Sequence, residues 1–304
     1  MSHAMSETSA SAAVILNWNG RDTTLACVQT LLDCGQPATH VIIVDNGSTD
    51  DSVTALRAAF PGLTVLAAGE NLGFARGNNL GVRHALATLT PAHIFLLNND
   101  AFINANTLPR LHAALALDAQ AGAAAPKIYF GDGQRLWYAG GYVDWKTGTG
   151  VHQHKGAADH SQADAPRSVG FAPGCALLLR REVIGPAGLF DERYFFMGED
   201  VDLSLRLTRA GRPLLYVPRA TVVHQVGASS NRQGQPFIWY HMTRNRLLTV
   251  SKHATPGQKL RFFSYWPLLW AFKAGQFALT GNPAVTRAIG RGLRDFQRGT
   301  FGRG

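Results

Sequence analysis

Cysteine is scarce in this chain of 304 residues, which holds only Cys27, Cys34 and Cys175 and no C-x-x-C pair. An odd number of scattered cysteines argues against a disulfide framework and against a structural zinc site, and it suits a reducing compartment. The first residues also lack the basic and apolar regions of a signal peptide. We therefore expect a cytoplasmic protein whose residues 1–12 are a disordered N-terminus.

The chain also lacks a G-x-G-x-x-G fingerprint. Without that phosphate-binding loop, a nicotinamide-dependent oxidoreductase is disfavoured. Acidic residues are nearly absent from residues 244–304, which hold eleven Lys and Arg against the single acidic residue Asp295. The net charge of +9 thus belongs to the C-terminal segment, and the main part of the chain offers no basic patch for nucleic acid.

Apolar runs alternate with helical stretches along the first 230 residues. The runs in AAVILNWNG, HVIIVDNGSTDDS, LTVLAAGEN and HIFLLNND are apolar throughout, as is typical of a parallel sheet covered by helices on both faces. We predict an α/β fold with a mostly parallel, Rossmann-like sheet over residues 13–236. Residues 131–168, rich in Gly and His, are expected to form a loop-rich insertion with a hairpin, in which His152, His154 and His160 are solvated.

Each of these four strands is followed by polar residues. Ligands of parallel sheets bind beyond the carboxyl ends of the strands, so four polar ends in succession predict one polar crevice. The residues at these ends are Asn17 and Asn19, Asp45 and Asn46, Glu70 and Asn71, and Asn98 and Asp100.

Two loops of this crevice carry groups suited to a nucleotide. Asp45 can accept a hydrogen bond from a base, and Gly73 lets the backbone approach a ligand, while Arg76 offers a cation for phosphate and Asn78 a hydrogen-bonding amide. Capped turns between strands and helices require the same residue types, so each loop alone is also compatible with a structural role.

Hard divalent cations prefer carboxylate and phosphate oxygens. Asp100, in the sequence LNND, can supply such a carboxylate, with Asn98 as an uncharged neighbour. His224, at the end of a late strand, can supply an imidazole to Mn²⁺, although an ordinary histidine at a strand end is the alternative.

Two adjacent carboxylates begin a helix in the sequence FFMGEDVDLSLR. The helix dipole stabilises ionised carboxylates at this end, and Asp200 can remove a proton from a hydroxyl within hydrogen-bond reach. Neighbouring helical residues lie about 100° apart, so one of the two carboxylates, Glu199 or Asp200, can face the crevice while the other binds elsewhere. Asp202 is expected to form a structural pair with Arg206, four residues later.

Together these segments resemble family 2 glycosyltransferases of the GT-A fold, and in particular their rhamnosyltransferase-like branch. The resemblance covers about residues 12–230. It implies an inverting transfer in which Asp200 is the base and Glu199 binds the acceptor or orients a neighbouring group. It places a Mg²⁺ or Mn²⁺ ion at Asp100, aided by His224, since Asn98 replaces the first Asp of the family's D-x-D motif. The residues assigned to the nucleotide sugar are Asn17, Asn19, Asp45, Asn46, Asn71, Gly73, Arg76, Asn78, Asn98 and Asn99.

By the same resemblance, the donor is dTDP-L-rhamnose or a UDP-sugar, and the acceptor is a glycan or a lipid-linked glycan of a cell-surface polysaccharide. A non-catalytic protein that binds sugar nucleotides is the alternative suggested by the missing Asp.

Residues 237–304 are predicted to form a helical, basic extension. Its uncharged stretch, residues 262–272, is shorter than the roughly 20 apolar residues of a membrane-spanning helix. Such a helix suits the interface of an anionic membrane, which would make the protein peripheral on the inner face of the membrane. The alternative is a helix packed on the catalytic domain or on a second copy.

Overall fold

The structure, a computed structural model, describes residues 11–186 and 188–304, and for residues 228–232 the helix backbone only. The described residues form twelve strands and eight helices. The strands are β1 (Ser11–Asn17), β2 (Val41–Asp45), β3 (Thr64–Ala67), β4 (His93–Asn98), β5 (Ala101–Ile103), β6 (Ala123–Phe130), β7 (Leu136–Tyr138), β8 (Gly141–Asp144), β9 (Thr149–His152), β10 (Arg167–Val169), β11 (Ala176–Arg180) and β12 (Leu214–His224). The helices are α1 (Arg21–Asp33), α2 (Ser52–Ala59), α3 (Gly73–Thr88), α4 (Thr107–Leu117), α5 (Glu199–Arg209), α6 (Ala228–His253), α7 (Pro256–Leu279) and α8 (Pro283–Gln297).

A ten-stranded sheet forms the centre of the fold, in the order β10-β12-β6-β11-β4-β1-β2-β3, with β5 beside β12 and β7 beside β6. Strands β3, β2, β1 and β4 are mutually parallel, and so are β6 and β12. Strand β11 joins these two groups by running antiparallel to both β4 and β6. Helix α3 packs on β1 and β2, and α4 packs on β6 and β12. The predicted α/β fold with its mostly parallel sheet and flanking helices is confirmed.

The strands differ from the sequence prediction in two places. Ser11 and Ala12, expected in the disordered N-terminus, already belong to β1, where they pair with His93 and Ile94 of β4. Residues 1–10 lie outside the described residues. The short strand β5, directly after Asp100, was not predicted because its three residues are too few to show a pattern.

The insertion at residues 131–168 is better ordered than predicted. Strand β7 pairs with the end of β6, and β8 and β9 form the expected antiparallel hairpin. His154 and His160 are exposed as predicted, but the prediction for His152 is wrong. Its Nδ1 lies 3.0 Å from the carbonyl oxygen of Trp137, and burial lowers the pKa of its ring to about 4.

The C-terminal segment forms three helices. Helix α6 is kinked at Gly234 (φ 76°, ψ 162°), two residues before the predicted domain boundary. Helix α7 buries Phe262, Trp266 and Trp270 against α6 and α8, and these three rings stack in sequence at centroid distances of 5.2 and 4.9 Å. Within the described residues, no helix combines the length and the apolar character needed to cross a bilayer.

Candidate active site

The register of the parallel strands brings the polar strand ends together. In the β1–β2 ladder Asn17 lies opposite Asp45, and in the β1–β4 ladder Leu16 lies opposite Asn98. Strand β12 reaches the same edge, because His224 pairs with Ala101 and the N–H of Gln225 donates to the carbonyl of Asp100 at 2.9 Å. The single polar crevice expected from the sequence is therefore formed by strands distant in the chain.

Two adjoining cavities open at this edge, with volumes of about 240 and 620 Å³. We call them the first and second cavities. They share the lining residues Phe74, Asn98, Phe196 and His224, so they meet at the end of β4.

Seven of the predicted site residues line the first cavity, namely Asn46, Asn71, Gly73, Asn98, Asn99, Asp100 and His224. Asn46 Nδ2 donates to Asn71 Oδ1 at 3.1 Å, and the N–H of Leu72 donates to Asn46 Oδ1 at 2.8 Å. Gly73 has a φ of 80°, and a Cβ atom there would lie 2.4 Å from the carbonyl oxygen of Phe195. Gly73 thus allows a close approach of the loop to Phe195, and an approach of this loop to a ligand remains a prediction.

Asn17, Asn19 and Asp45 line neither cavity. The two carboxylate oxygens of Asp45 accept hydrogen bonds from Asn17 Nδ2 at 2.8 Å and from the N–H of Ser48 at 3.0 Å. Asn19 Oδ1 accepts from the N–H of Thr49 at 2.7 Å. These three side chains hold the loop after β2 against the loop after β1, and a direct contact of Asp45 with a base remains a prediction.

Arg76 and Asn78 of α3 also lie outside both cavities, and their contacts with a nucleotide remain predictions. Arg76 pairs with Glu192 at 3.6 Å on the surface, and Asn78 Nδ2 donates to the carbonyl of Phe74 one turn earlier at 2.9 Å. The helical arrangement of α3 presents Gly73 and Phe74 to the cavity and places these later residues beyond it.

Asp100 and His224 form a buried pair, with His224 Nε2 2.9 Å from Asp100 Oδ1. The other ring nitrogen of His224, Nδ1, is buried without a hydrogen-bond partner among the described residues. Two ligands at right angles on one Mg²⁺ or Mn²⁺ ion are separated by about 3 Å, since each lies roughly 2.1 Å from the metal. The spacing of the pair therefore fits two ligands of one cation. No third His, Cys, Asp or Glu completes a metal cluster among the described residues, so further ligands would have to be phosphate and water oxygens.

Glu199 and Asp200 begin α5 and line the second cavity. Burial raises the pKa of Asp200 to about 6, although backbone N–H groups, including that of Val201 at 2.8 Å, act in the opposite direction. Glu199 is more deeply buried, and its Oε2 atom has no hydrogen-bond partner in the described part of the chain. Burial and the neighbouring charge of Asp200 raise the pKa of Glu199 well above its usual value. The pair can therefore hold one proton on Glu199 while Asp200 is an available base at neutral pH.

Cys175 connects the two halves of the site. Its carbonyl accepts from the N–H of Asn98 at 2.8 Å. Burial raises the pKa of its thiol well above the usual value, and the negative charges of Asp100 and Asp200 both add to the effect. Asp100 and Asp200 line two cavities that share Asn98 and His224, so the expected convergence of the two carboxylates on one site is supported.

The start of α5 is fixed by contacts that the sequence did not reveal. Met197 and Gly198 both have positive φ, 67° and 98°, and Asn245 Nδ2 donates to the carbonyls of Phe196 at 2.9 Å and Met197 at 2.7 Å. Asn245 lies on α6, nearly fifty residues away, and no local sequence pattern predicts that it fixes the start of α5.

Asp202 makes the predicted pair with Arg206 at 2.8 Å and also contacts Lys252 and His253 at the end of α6. Burial alone would raise the pKa of Asp202, but hydrogen bonds from these three side chains lower it to about 2. The carboxylate thus joins α5 to α6, and its structural assignment is supported.

The second cavity is lined mainly by residues that were not predicted. Trp137 and Phe171 contribute aromatic rings, Lys155 belongs to the insertion, and Met242 and Arg246 belong to α6. Sequence reasoning missed them because the hairpin and α6 reach the site only through tertiary packing.

Comparison with known proteins connects this site to a family. The family described as "Glycosyltransferase like family 2" matches residues 9–234. The chain is similar to the N-acetylglucosaminyl-diphospho-decaprenol L-rhamnosyltransferase of Mycobacterium tuberculosis, with 28% identity over 274 residues, which are 84% of this chain and 86% of that protein.

Two solved structures share the fold. One is a mannosyltransferase from Pyrobaculum calidifontis in complex with GDP-Man and Mn²⁺, with a TM-score of 0.58, 14% identity and coverage of 96% of this chain and 88% of that chain. The other is S. aureus TarS in complex with UDP-GlcNAc, with a TM-score of 0.61, 14% identity and coverage of 94% and 81%. Because the family model matches well over half of this chain, the chain belongs to glycosyltransferase family 2 and has the GT-A fold.

Proposed function

We propose that this glycosyltransferase is an inverting enzyme that moves a sugar from a nucleoside diphosphate in the first cavity to a hydroxyl group of an acceptor in the second. The observation that carries this proposal is the junction of the two cavities. Asp100 lines one, Asp200 lines the other, and Asn98 and His224 line both. A donor and an acceptor bound in this way would meet between the two carboxylates.

The protonation states of the two adjacent carboxyl groups support the chemistry. With its pKa raised to about 6, Asp200 is mostly ionised at pH 7 and basic enough to accept a proton. In the transfer, the acceptor oxygen forms a bond to the anomeric carbon while the bond from that carbon to the diphosphate oxygen breaks. The hydroxyl proton passes to Asp200, and the bonding electrons leave with the nucleoside diphosphate. Glu199, kept protonated by burial, adds no second negative charge beside the base.

Asp100 and His224 would hold a divalent cation, Mg²⁺ or Mn²⁺, on the donor side. Such an ion supplies positive charge to a departing diphosphate. The support is the 2.9 Å spacing of His224 Nε2 and Asp100 Oδ1, which fits two ligands of one cation. Asn98, the last residue of β4, and Asn99, which follows it, would contact the donor as uncharged neighbours.

The proposed donor is dTDP-L-rhamnose, with a UDP-sugar as the alternative. The name of the similar mycobacterial protein gives L-rhamnose as the transferred sugar and N-acetylglucosaminyl-diphospho-decaprenol as the acceptor. By this similarity, the acceptor proposed here is a lipid-linked glycan in the synthesis of a cell-surface polysaccharide.

A lipid-linked acceptor would require the enzyme at a membrane, and α7 provides a suitable surface. Its outward side exposes Leu260, Phe263, Leu268, Phe272 and Leu279. Three exposed arginines of the neighbouring α8 and a fourth directly after its last residue lie at spacings of four, three and four residues, which places them on one face of the helix: Arg287, Arg291, Arg294 and Arg298. Apolar side chains beside a row of cations suit the interface of an anionic bilayer, so we propose peripheral binding at the cytoplasmic face.

A panel of dTDP-, UDP- and GDP-sugars, each with and without Mn²⁺, tests donor and metal together by thermal shift. Binding of dTDP-rhamnose that is strengthened by Mn²⁺ would support the proposal, and a transfer assay with a lipid-linked glycan would then test catalysis. A protein that binds none of these donors, with or without Mn²⁺, would contradict it.

A further inference from the structure

Two cationic side chains in the second cavity have no acidic partner. Lys155 and Arg246 both line this cavity together with Asp200. Among the described residues, neither forms a salt bridge. Lys155 Nζ lies 5.9 Å from the centre of the Trp137 ring, and the Arg246 guanidinium lies 4.8 Å from the centre of the Trp270 ring. Both cations therefore rest on aromatic rings and remain available to an anion.

Arg246 is the more deeply placed of the two. Its Nε atom is buried without a hydrogen-bond partner in the part of the chain that the structure describes. Burial lowers the pKa of its guanidinium to about 10, against the opposing influence of Asp144, so the group is still charged at neutral pH. The carboxylate of Asp144 accepts from Thr147 Oγ1 at 2.9 Å and from the N–H of Lys146 at 3.0 Å, both within its own turn.

Two other arginines, one buried and one half-buried like Arg246, are satisfied by the protein. Arg244, two residues earlier on α6, donates to the hydroxyl of Tyr240 at 3.1 Å and to the carbonyl of Gly302 at 2.8 Å. Arg180 donates from its Nε atom to the carbonyl of Ala121 at 2.9 Å. Burying a charge without a hydrogen-bonding partner destabilises the fold. Arg246 differs from these two arginines in this respect, and we infer that its partner comes from outside the chain.

We propose that Lys155 and Arg246 form an acceptor subsite that binds the diphosphate of a sugar diphosphate ester, while the sugar of the same molecule extends toward Asp200. This proposal rests on the proposed function and adds the chemical class that the second cavity recognises. A guanidinium presents a planar fork of donors to phosphate oxygens, and a lysine adds a mobile point charge. Arg246 also links the subsite to α7 through Trp270, which places the anionic group beside the helix proposed to contact the membrane.

The test compares two matched acceptors by calorimetry, in buffer without donor. One is an N-acetylglucosaminyl diphosphate ester of a short prenyl alcohol, and the other is the N-acetylglucosaminide of the same alcohol without phosphate. We expect the wild-type protein to bind the diphosphate ester at least about tenfold more tightly, the scale of a charge-assisted contact. Arg246→Gln is expected to lose most of this preference, Lys155→Gln to lose part of it, and Arg246→Lys to retain more than Arg246→Gln.

Arg261→Gln is the matched control, since Arg261 is exposed on α7 and lines neither cavity. Nucleotide binding to all variants should equal that of the wild type, which also shows that they are folded. Equal binding of the two acceptors by the wild-type protein, or an undiminished preference in both Gln variants, would overturn the subsite. Because binding is measured without transfer, failure of the proposed catalytic function would appear separately, as absence of turnover with a normally bound acceptor.

Discussion

The imidazole Nε2 of His224 lies 2.9 Å from Oδ1 of Asp100, although 124 positions separate the two residues in the chain. The pairing of β12 with β5 places them together, because His224 stands opposite Ala101. Asp100 lines the first cavity and His224 lines both cavities, on the side where we propose that the diphosphate of the donor departs.

Replacement of His224 by Gln should weaken the binding of Mn²⁺ to the nucleotide complex without unfolding the protein. We expect the Mn²⁺ concentration that half-stabilises the nucleotide complex to rise at least about tenfold, a scale reached even when outer-shell partners of a metal are removed. Thermal shift with UDP and dTDP across a Mn²⁺ series measures this. The exposed His154→Gln is the control. An unchanged Mn²⁺ dependence in the His224 variant would show that His224 is not a ligand.

The pH dependence of transfer should follow the ionisation of Asp200. Its pKa is raised to about 6, and the base form is required, so kcat should fall about tenfold per pH unit below 6 and level off above it. Asp202, with a pKa lowered to about 2, stays ionised throughout this range and contributes no inflection there. Rates between pH 4.5 and 8.5 at saturating substrates provide the measurement. A flat profile between pH 5 and 7 is incompatible with Asp200 as the base.

Replacement of Glu199 by Gln should stabilise the protein, and more so at higher pH. The folded-state pKa of Glu199 is raised, so the stability associated with its protonated form is complete below its unfolded-state pKa and is lost as pH rises toward the folded-state pKa. Gln cannot ionise and escapes this loss. We expect a gain in Tm of roughly 2–4 °C at pH 8, as for about 1 kcal/mol in a protein of this size, and a smaller gain at pH 5.

Differential scanning calorimetry at pH 5 and pH 8 distinguishes this pH-dependent gain in Tm from a stabilisation that is independent of pH. The exposed Glu182→Gln variant should show no gain that depends on pH. A Glu199→Gln protein that is less stable at pH 8 than the wild type would mean that Glu199 is ionised and paired in the fold.

Loss of apolar side chains from α7 should weaken binding to vesicles. Leu268 and Phe272 are 72% and 66% exposed, and each side chain that enters a bilayer contributes about 1.5–3 kcal/mol. The double change Leu268→Ser and Phe272→Ser should therefore reduce binding to anionic vesicles by tenfold or more. Flotation with and without high salt measures it, because salt screens the arginines of α8.

Leu117, which is 90% exposed on α4, provides a matched control for the vesicle experiment. Leu117→Ser should bind vesicles as the wild type does. If the α7 double variant binds equally well, the exposed face of α7 has another role.

The sequence was sufficient for the parallel half of the fold because β1, β2 and β4 are apolar throughout and each ends in polar residues. It also located the correct edge of the sheet. It did not show which polar side chains face the ligand. Asn17 and Asp45 form a hydrogen bond with each other, and Asp45 accepts another from the turn that follows it. Polar residues that stabilise a turn in this way give the same sequence pattern as polar residues that bind a ligand.

Most residues of the second cavity, where we propose that the acceptor binds, could not be predicted from the sequence. Trp137, Asn245 and Arg246 come from the insertion and from α6, and they reach Asp200 only after these segments have packed. Hydrophobic periodicity and residue spacing do not predict such contacts, because each of these residues is more than forty positions from Asp200 and none belongs to a local motif. Glu199 was recognised as a carboxylate at a helix start, but the rise of its pKa depends on burial that only the fold determines.

In the proposed reaction Asp200 removes the proton of the acceptor while the donor is held independently in the first cavity. Asp200→Asn separates these two roles when donor affinity is measured by calorimetry and kcat is measured on the same preparation. We predict unchanged affinity for the nucleotide sugar and a kcat reduced by about 10²–10⁴-fold, the usual contribution of general base catalysis. A variant that retains kcat within a few-fold of the wild type would contradict the account.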